Sequence, residues 1–170
     1  MEPKIKIRFA EKADLPSIVN IYNQAIRSHY ATGDISEFTV EQRVTWFEKF
    51  DNDFYPLYLV EINGIVLGYC SLSPYRPGRE AMATVAEISY YIDFLYHGKG
   101  LGSKLLEYVI ADCKRINKES LLAILMDINP KSIGILKKFG FEKWGHFPDI
   151  IHINGEKAGH LVYGLRLNKK

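Results

Sequence analysis

The chain has 170 residues, 47% of them hydrophobic and 25% charged, with a formal net charge of +2. That length suits one domain, residues 1–170, with a full hydrophobic core, and it is short for two. Acids and bases are scattered with no basic run, which argues against a nucleic-acid face, and no stretch approaches the roughly 18 apolar residues of a membrane span.

In chain order, Lys4–Phe9 alternates and predicts a strand. Asp14 stands where it can cap a helix whose apolar positions, Ile18, Ile21, Tyr22, Ala25 and Ile26, share one face. Residues 29–38 hold Thr, Gly, Asp and Ser and read as a loop. Thr39-Val40-Glu41-Gln42 fits a capping box and opens a short helix expected to bury Val40, Val44, Phe47 and Phe50. Leu57–Ile62 and Ile65–Leu72, joined by Asn63-Gly64, predict a hairpin, because Asn-Gly tolerates the positive φ of a type I′ turn. Residues 74–83, with Pro74, Pro77 and Gly78, form a second loop.

Val85–Ile92 is the next strand, and Leu101–Ile116 the next helix, with Leu105, Tyr108, Val109, Cys113 and Ile116 on its apolar side and Asp112 interrupting it. The wholly apolar run Leu121–Met126 marks a buried central strand. Asn129-Pro130 opens another helix, Asn as cap and Pro in the first turn where its missing N–H is not needed, and Gly140 ends it. Two strands follow, near Phe141–His146 and His160–Leu167, with a second Asn-Gly turn at 154–155. Hairpins first and strand–helix–strand units afterwards argue for a mixed sheet flanked by helices.

The two cysteines, Cys70 and Cys113, lie in apolar stretches with no CxxC pair and read as buried thiols in a reducing compartment. The charged stretch Met1–Arg8 lacks the apolar core of a signal peptide, so a cytoplasmic protein is expected.

The chemistry concentrates in His97-Gly98-Lys99-Gly100-Leu101-Gly102-Ser103, between a strand and a long helix. Glycines let the backbone curl its N–H groups toward a ligand, and the first helical turn adds unpaired donors and a partial positive charge. The combination suits a phosphate or a diphosphate. A nucleotide P-loop requires Gly-Lys-Ser/Thr, but Gly100 follows Lys99. Gly98-x-Gly100-x-x-Ser103, with Asp127 as the later acid, comes near the dinucleotide fingerprint, yet that fold repeats strand–helix units and only one is evident here.

The segment resembles motif A of the GNAT N-acetyltransferase superfamily, Arg/Gln-x-x-Gly-x-Gly/Ala, with His97 in the first place. The strand before it and Asn129-x-x-Ser132…Gly140-Phe141 after it match in order and spacing. The resemblance narrows toward the phosphinothricin/methionine-sulfoximine acetyltransferase branch through Ile21-Tyr22-Asn23, Thr45-Trp46-Phe47, Tyr55-Pro56-Leu57, Gly68-Tyr69 and Thr84-Val85-Ala86-Glu87. It implies an α/β fold with a mixed, mostly antiparallel sheet of about seven strands and about four helices, splayed between the fourth and fifth strands. It implies acetyl-CoA as co-substrate. Backbone groups of Tyr90, Tyr91 and Ile92 would pair with the pantetheine arm, His97 through Ser103 would hold the diphosphate, and Asn129 and Ser132 would meet the arm. It further implies a homodimer with contacts through the C-terminal strands.

Transfer of acetyl to an amine needs the amine deprotonated. Glu87, in the apolar strand Val85-Ala86-Glu87-Ile88, matches the family's glutamate and with the motif beside it is the expected base; taken alone it reads better as a solvent-facing strand residue. Many relatives carry Tyr or His where Leu136 stands, so the usual general acid is absent there, and Tyr163 is either a substitute or a packed strand residue. The acceptor site is expected from Tyr30 to Phe38 and from residues 74–84, with Arg76, or else Arg79, facing an acceptor carboxylate. His29, His97, His146, His152 and His160 lack ligand spacing, and no metal is expected. Without GxSxG or a Cys–His pair no covalent acyl-enzyme is expected. The leading reading is direct attack by a small amine, an amino acid or an amino-acid-like toxin. A polyamine, an aminoglycoside, a protein N-terminus, or a degenerate acyl-CoA-binding domain are the alternatives.

Overall fold

The computed structural model describes residues 4–167; the outermost residues of the expected 1–170 domain, 1–3 and 168–170, lie outside the described residues. Seven strands form one sheet in the order β1-β2-β3-β4-β5-β7-β6. Strand β1 (Ile5–Phe9) runs antiparallel to β2 (Leu57–Ile62), which forms a hairpin with β3 (Ile65–Pro74). The turn between them places both Asn63 (φ 51°) and Gly64 (φ 79°) in the left-handed region, as a type I′ turn requires. Strand β4 (Val85–Ile92) pairs antiparallel with β3 along Ala86–Ile92. Strand β5 (Ser120–Met126) is parallel to β4, and β7 (Glu156–Arg166) and β6 (Glu142–Ile153) complete the sheet antiparallel. The last two strands are longer than their periodicity suggests, because they run on to meet at Asn154-Gly155, both again at positive φ.

The helices segregate by face. Helix α1 (Leu15–Ser28) buries Ile18, Ile21, Tyr22, Ala25 and Ile26, the stripe read from its period, and packs with α2 (Val40–Phe47) against Leu57, Leu59 and Tyr69. Helix α3 (Leu101–Asp112) and helix α4 (Pro130–Lys138) cover the other face around Leu72, Ile88, Leu121 and Leu161. Tyr58 of β2 packs on this second face and ties it to α3, donating its hydroxyl to Asp112 Oδ2 at 2.8 Å.

Three local expectations differ from the structure. Asp14 ends a short 3-10 turn (Lys12–Asp14) and stands at the N-cap of α1, but its carboxylate accepts from Glu11 N and from Arg8 and makes no capping bond to the helix. The capping box of Thr39 and Gln42 forms, but the apolar side of α2 is only half-buried, at the border of the cluster around Leu57, Leu59 and Tyr69. Helix α3 stops at Asp112, four residues before Ile116: the chain must reverse into β5, and Asn117 at φ 54° closes the intervening turn. Cys113 and Ile116 still reach the core from that turn.

Candidate active site

Among the described residues one strand pairing is parallel, and it is also the least complete. Strands β4 and β5 are in register only at Val85↔Ser120, Ala86↔Leu121 and Glu87↔Leu122. From Ile88 onward they part, while β5 remains paired with β7 as far as Met126↔His160. The opening continues into a cleft of about 710 Å³ whose walls are Ile88–Ile92 on one side and Ala123–Leu125 on the other. A volume of that size is typical of a small-molecule site. The parted edge of β4 offers peptide groups to whatever enters, as a sheet edge offers them to another strand.

At the mouth of the cleft stands the start of α3. Gly98 (φ 75°) and Gly100 (φ 78°) both take left-handed backbone, which a side chain would strain. Gly100 is the N-cap of α3 and, having no side chain, makes no capping hydrogen bond. The amides of the first turn therefore have no side-chain cap and lie at the positive end of the helix dipole. Gly102 packs closely: a Cβ there would come within 3.3 Å of Ile135 Cδ1 and 3.6 Å of Ile92 Cγ1. Left-handed glycines and an N-cap without a side-chain bond leave space for an anion at this turn.

His97 helps to hold the turn. Its Nε2 lies 2.9 Å from the Ile92 carbonyl and its ring 4.5 Å from that of Phe94. Lys99 does not line the cleft; its ammonium sits 4.4 Å from the centroid of the Tyr96 ring. Tyr90, Tyr91, Ile92, Gly98, Gly100, Leu101, Gly102, Ser103, Asn129 and Ser132 all do line it, as does His97. Asn129 caps α4 by accepting from Ser132 N at 3.2 Å.

Residues of α4 add what the linear reading overlooked. Lys131, Ile135 and Lys138 line the cleft, and Lys138 donates to Ser103 Oγ at 3.3 Å. Their spacing of four and then three places them on one helical face, so the signal was present in the period. Tyr30 and Ala31, just beyond α1, close the other end. Leu136 is fully buried and forms part of the wall, and Tyr163 is packed in the core.

Glu87 lies at the last paired position before the strands part, and it is half-buried. It is not among the cleft-lining residues. Alternation along β4 puts it on the same face as Tyr91, whose ring meets Tyr22 of α1 edge-on at 5.0 Å. Burial alone raises its carboxyl above the ordinary glutamate range. On that face Tyr22 hydrogen-bonds Thr32 at 2.8 Å and donates to Asp34, and Arg43 stacks 4.0 Å from the Trp46 ring. The loop of Tyr30 to Phe38 thus borders the Glu87 face. Arg76 and Arg79 are exposed and outside the cleft. Among the described residues no cluster of three metal-ligating side chains occurs, and no helix is long and apolar enough to cross a membrane.

Comparison with known proteins agrees with this geometry. The sequence profile described as the acetyltransferase (GNAT) family matches residues 17–141. YwnH of Bacillus subtilis (strain 168) is 36% identical over 163 residues, covering 95% of this chain and 99% of the relative. An L-methionine sulfoximine/L-methionine sulfone acetyltransferase of Salmonella typhimurium is 34% identical over 144 residues, 85% of this chain and 84% of that protein. Among solved structures, a phosphinothricin acetyltransferase from Sinorhizobium meliloti in complex with acetyl-CoA superposes with a TM-score of 0.90 at 25% identity, covering 96% of this chain and 89% of that one. A glycine-capped helix beside a parted parallel pair, in a sequence matched across most of its length, makes this chain a member of the acetyltransferase (GNAT) family and an N-acetyltransferase.

Proposed function

We propose that the protein transfers the acetyl group of acetyl-CoA to the primary amine of a small amino-acid-like molecule, of the phosphinothricin or methionine sulfoximine type. The observation that carries this reading is the fork between β4 and β5 with the uncapped start of α3 at its mouth. The backbone amides from Gly98 to Ser103 would hold the diphosphate, aided by the positive charge of Lys138. The edge of β4 at Tyr90, Tyr91 and Ile92 would pair with the pantetheine arm, with Asn129 and Ser132 opposite. The acceptor would approach from the face that carries Glu87, which takes the amine's proton. A carboxyl raised by burial is a better base near neutral pH than an ordinary glutamate. The small-acceptor reading draws on the activities named for the relatives.

A homodimer and a cytoplasmic location belong to the same reading. The exposed side chains of Trp144, Phe147 and Ile150 on β6 support the first, and two buried free thiols support the second. The test is calorimetric titration with CoA followed by thiol release from acetyl-CoA across a panel of amino acids, methionine sulfoximine, polyamines and peptides. Turnover confined to amino-acid-like amines is the expected result. Turnover with peptides or polyamines alone would refute the acceptor assignment, and absence of CoA binding would refute the whole reading.

A further inference from the structure

Attack of an amine on a thioester expels a thiolate, and a group that supplies its proton lowers the barrier. Helix α4 supplies none at the deep end of the cleft, where Leu136 forms the wall. One turn earlier on the same helical face stands Ser132, whose Oγ lies 2.6 Å from Tyr90 Oη. Tyr90 extends from β4 on the face opposite to Glu87, since the two are an odd number of residues apart. Both belong to the fork itself: Glu87 is the last position paired with β5, and Tyr90 lies three residues on, in the parted segment. A thioester at the fork would therefore have a carboxylate on one side of the sheet and a phenol on the other. Three neighbouring donors are engaged or turned away. His97 Nε2 meets the Ile92 carbonyl, Lys138 donates to Ser103, and the Tyr91 ring is turned to the opposite face against Tyr22.

We propose that Tyr90, held by Ser132, donates the proton to the departing thiolate, a role delivered here from the strand and not from α4. This rests on the acetyltransferase reading above. In the step, the amine nitrogen forms a bond to the carbonyl carbon and the carbon–sulfur bond breaks, its electron pair leaving with sulfur. The Tyr90 Oη proton passes to sulfur, and the proton shed by nitrogen passes to Glu87 and then to solvent. The phenolate recovers a proton from solvent through the Ser132 hydroxyl, and the products are an amide and a thiol. Burial keeps the phenol above its ordinary titration range, against the opposing hydrogen bond from Ser132, so Tyr90 enters each cycle protonated.

Tyr90→Phe retains the ring and removes only the donor. Its turnover should fall about 100-fold, the scale of a general acid, with CoA affinity by calorimetry unchanged. Ser132→Ala should lower turnover less. A second readout needs no turnover: the ultraviolet thiolate band of bound CoA should develop at higher pH in Tyr90→Phe than in the wild type, because a phenol donating to sulfur stabilises the thiolate. Wild-type turnover in Tyr90→Phe, or an identical thiolate titration, would overturn the assignment while leaving the acetyltransferase reading intact. Failure of the wild type to bind CoA would sink both.

Discussion

Gly100→Ala puts the proposed diphosphate site to its sharpest test. At φ 78° an alanine pays the left-handed penalty, about 1–2 kcal/mol. No atom lies within 4 Å of the position a Cβ would take, so steric crowding inside the protein adds nothing. For a chain of this size that strain should lower Tm by about 2–8 °C. The Cβ would, however, stand at the N-cap of α3, where the ligand must approach the amides. Losing one good hydrogen bond to a charged group weakens binding by about 1.5–3 kcal/mol, roughly 10- to 100-fold in Kd. Gly64→Ala is the matched control: φ is 79°, nothing lies within 4 Å, and the residue sits in the β2–β3 turn. Scanning calorimetry should show the two variants destabilised alike, while isothermal titration with CoA should separate them. Equal CoA affinity in Gly100→Ala and Gly64→Ala would refute the argument that these amides grip the diphosphate.

Glu87→Gln should abolish most turnover and leave CoA affinity intact. In the wild type the acidic limb of the kcat/KM profile should lie above the ordinary glutamate range, since the base must be ionised and burial raises its pKa; a limb at the ordinary value would remove Glu87 from the mechanism. Gly68→Ala should destabilise the sheet by about 1–3 kcal/mol, because a Cβ there would fall 2.9 Å from the Tyr91 carbonyl and 2.4 Å from Ile92 Cδ1; urea denaturation with an unchanged midpoint would contradict this. Arg8 holds the Asp14 carboxyl below its ordinary range through paired hydrogen bonds of 2.7 and 2.8 Å. That stabilisation is present above the unfolded carboxylate pKa and is lost as pH falls through the folded one. Asp14→Asn should therefore lose stability at neutral pH and show a shallower loss in acid, measured by urea midpoints across the titration.

Much of the architecture was readable because it rests on local signals. The 3.6-residue stripe of α1 and the apolar run of β5 each have a short-range cause, as do the Asn-Gly turns and the Asn129 cap, and each survives in the structure. Where a boundary moved, as at Ile116 or Asp14, a tertiary demand outweighed the local one: a chain reversal in the first case, an ion pair with Arg8 in the second. The left-handed backbone at Gly98 and Gly100 and the side-chain-free N-cap at Gly100 were readable too, because glycine is the residue type that takes them without strain.

The partners of that turn and of β4 were not readable in the same way. That Tyr90 meets Ser132 depends on how β4 and α4 pack across the sheet, and that Lys138 reaches Ser103 depends on the approach of two helices. The sequence by itself determined the elements, the faces they bury and the glycine turn that opens α3, since these follow from propensity and period within a few residues. Only the tertiary structure decided that β4 and β5 part after Glu87↔Leu122, which side chains face each other across the gap, and that Lys99 and Arg76 stand outside it. Contacts between residues forty positions apart are set by the packing of whole elements, and no local pattern encodes them.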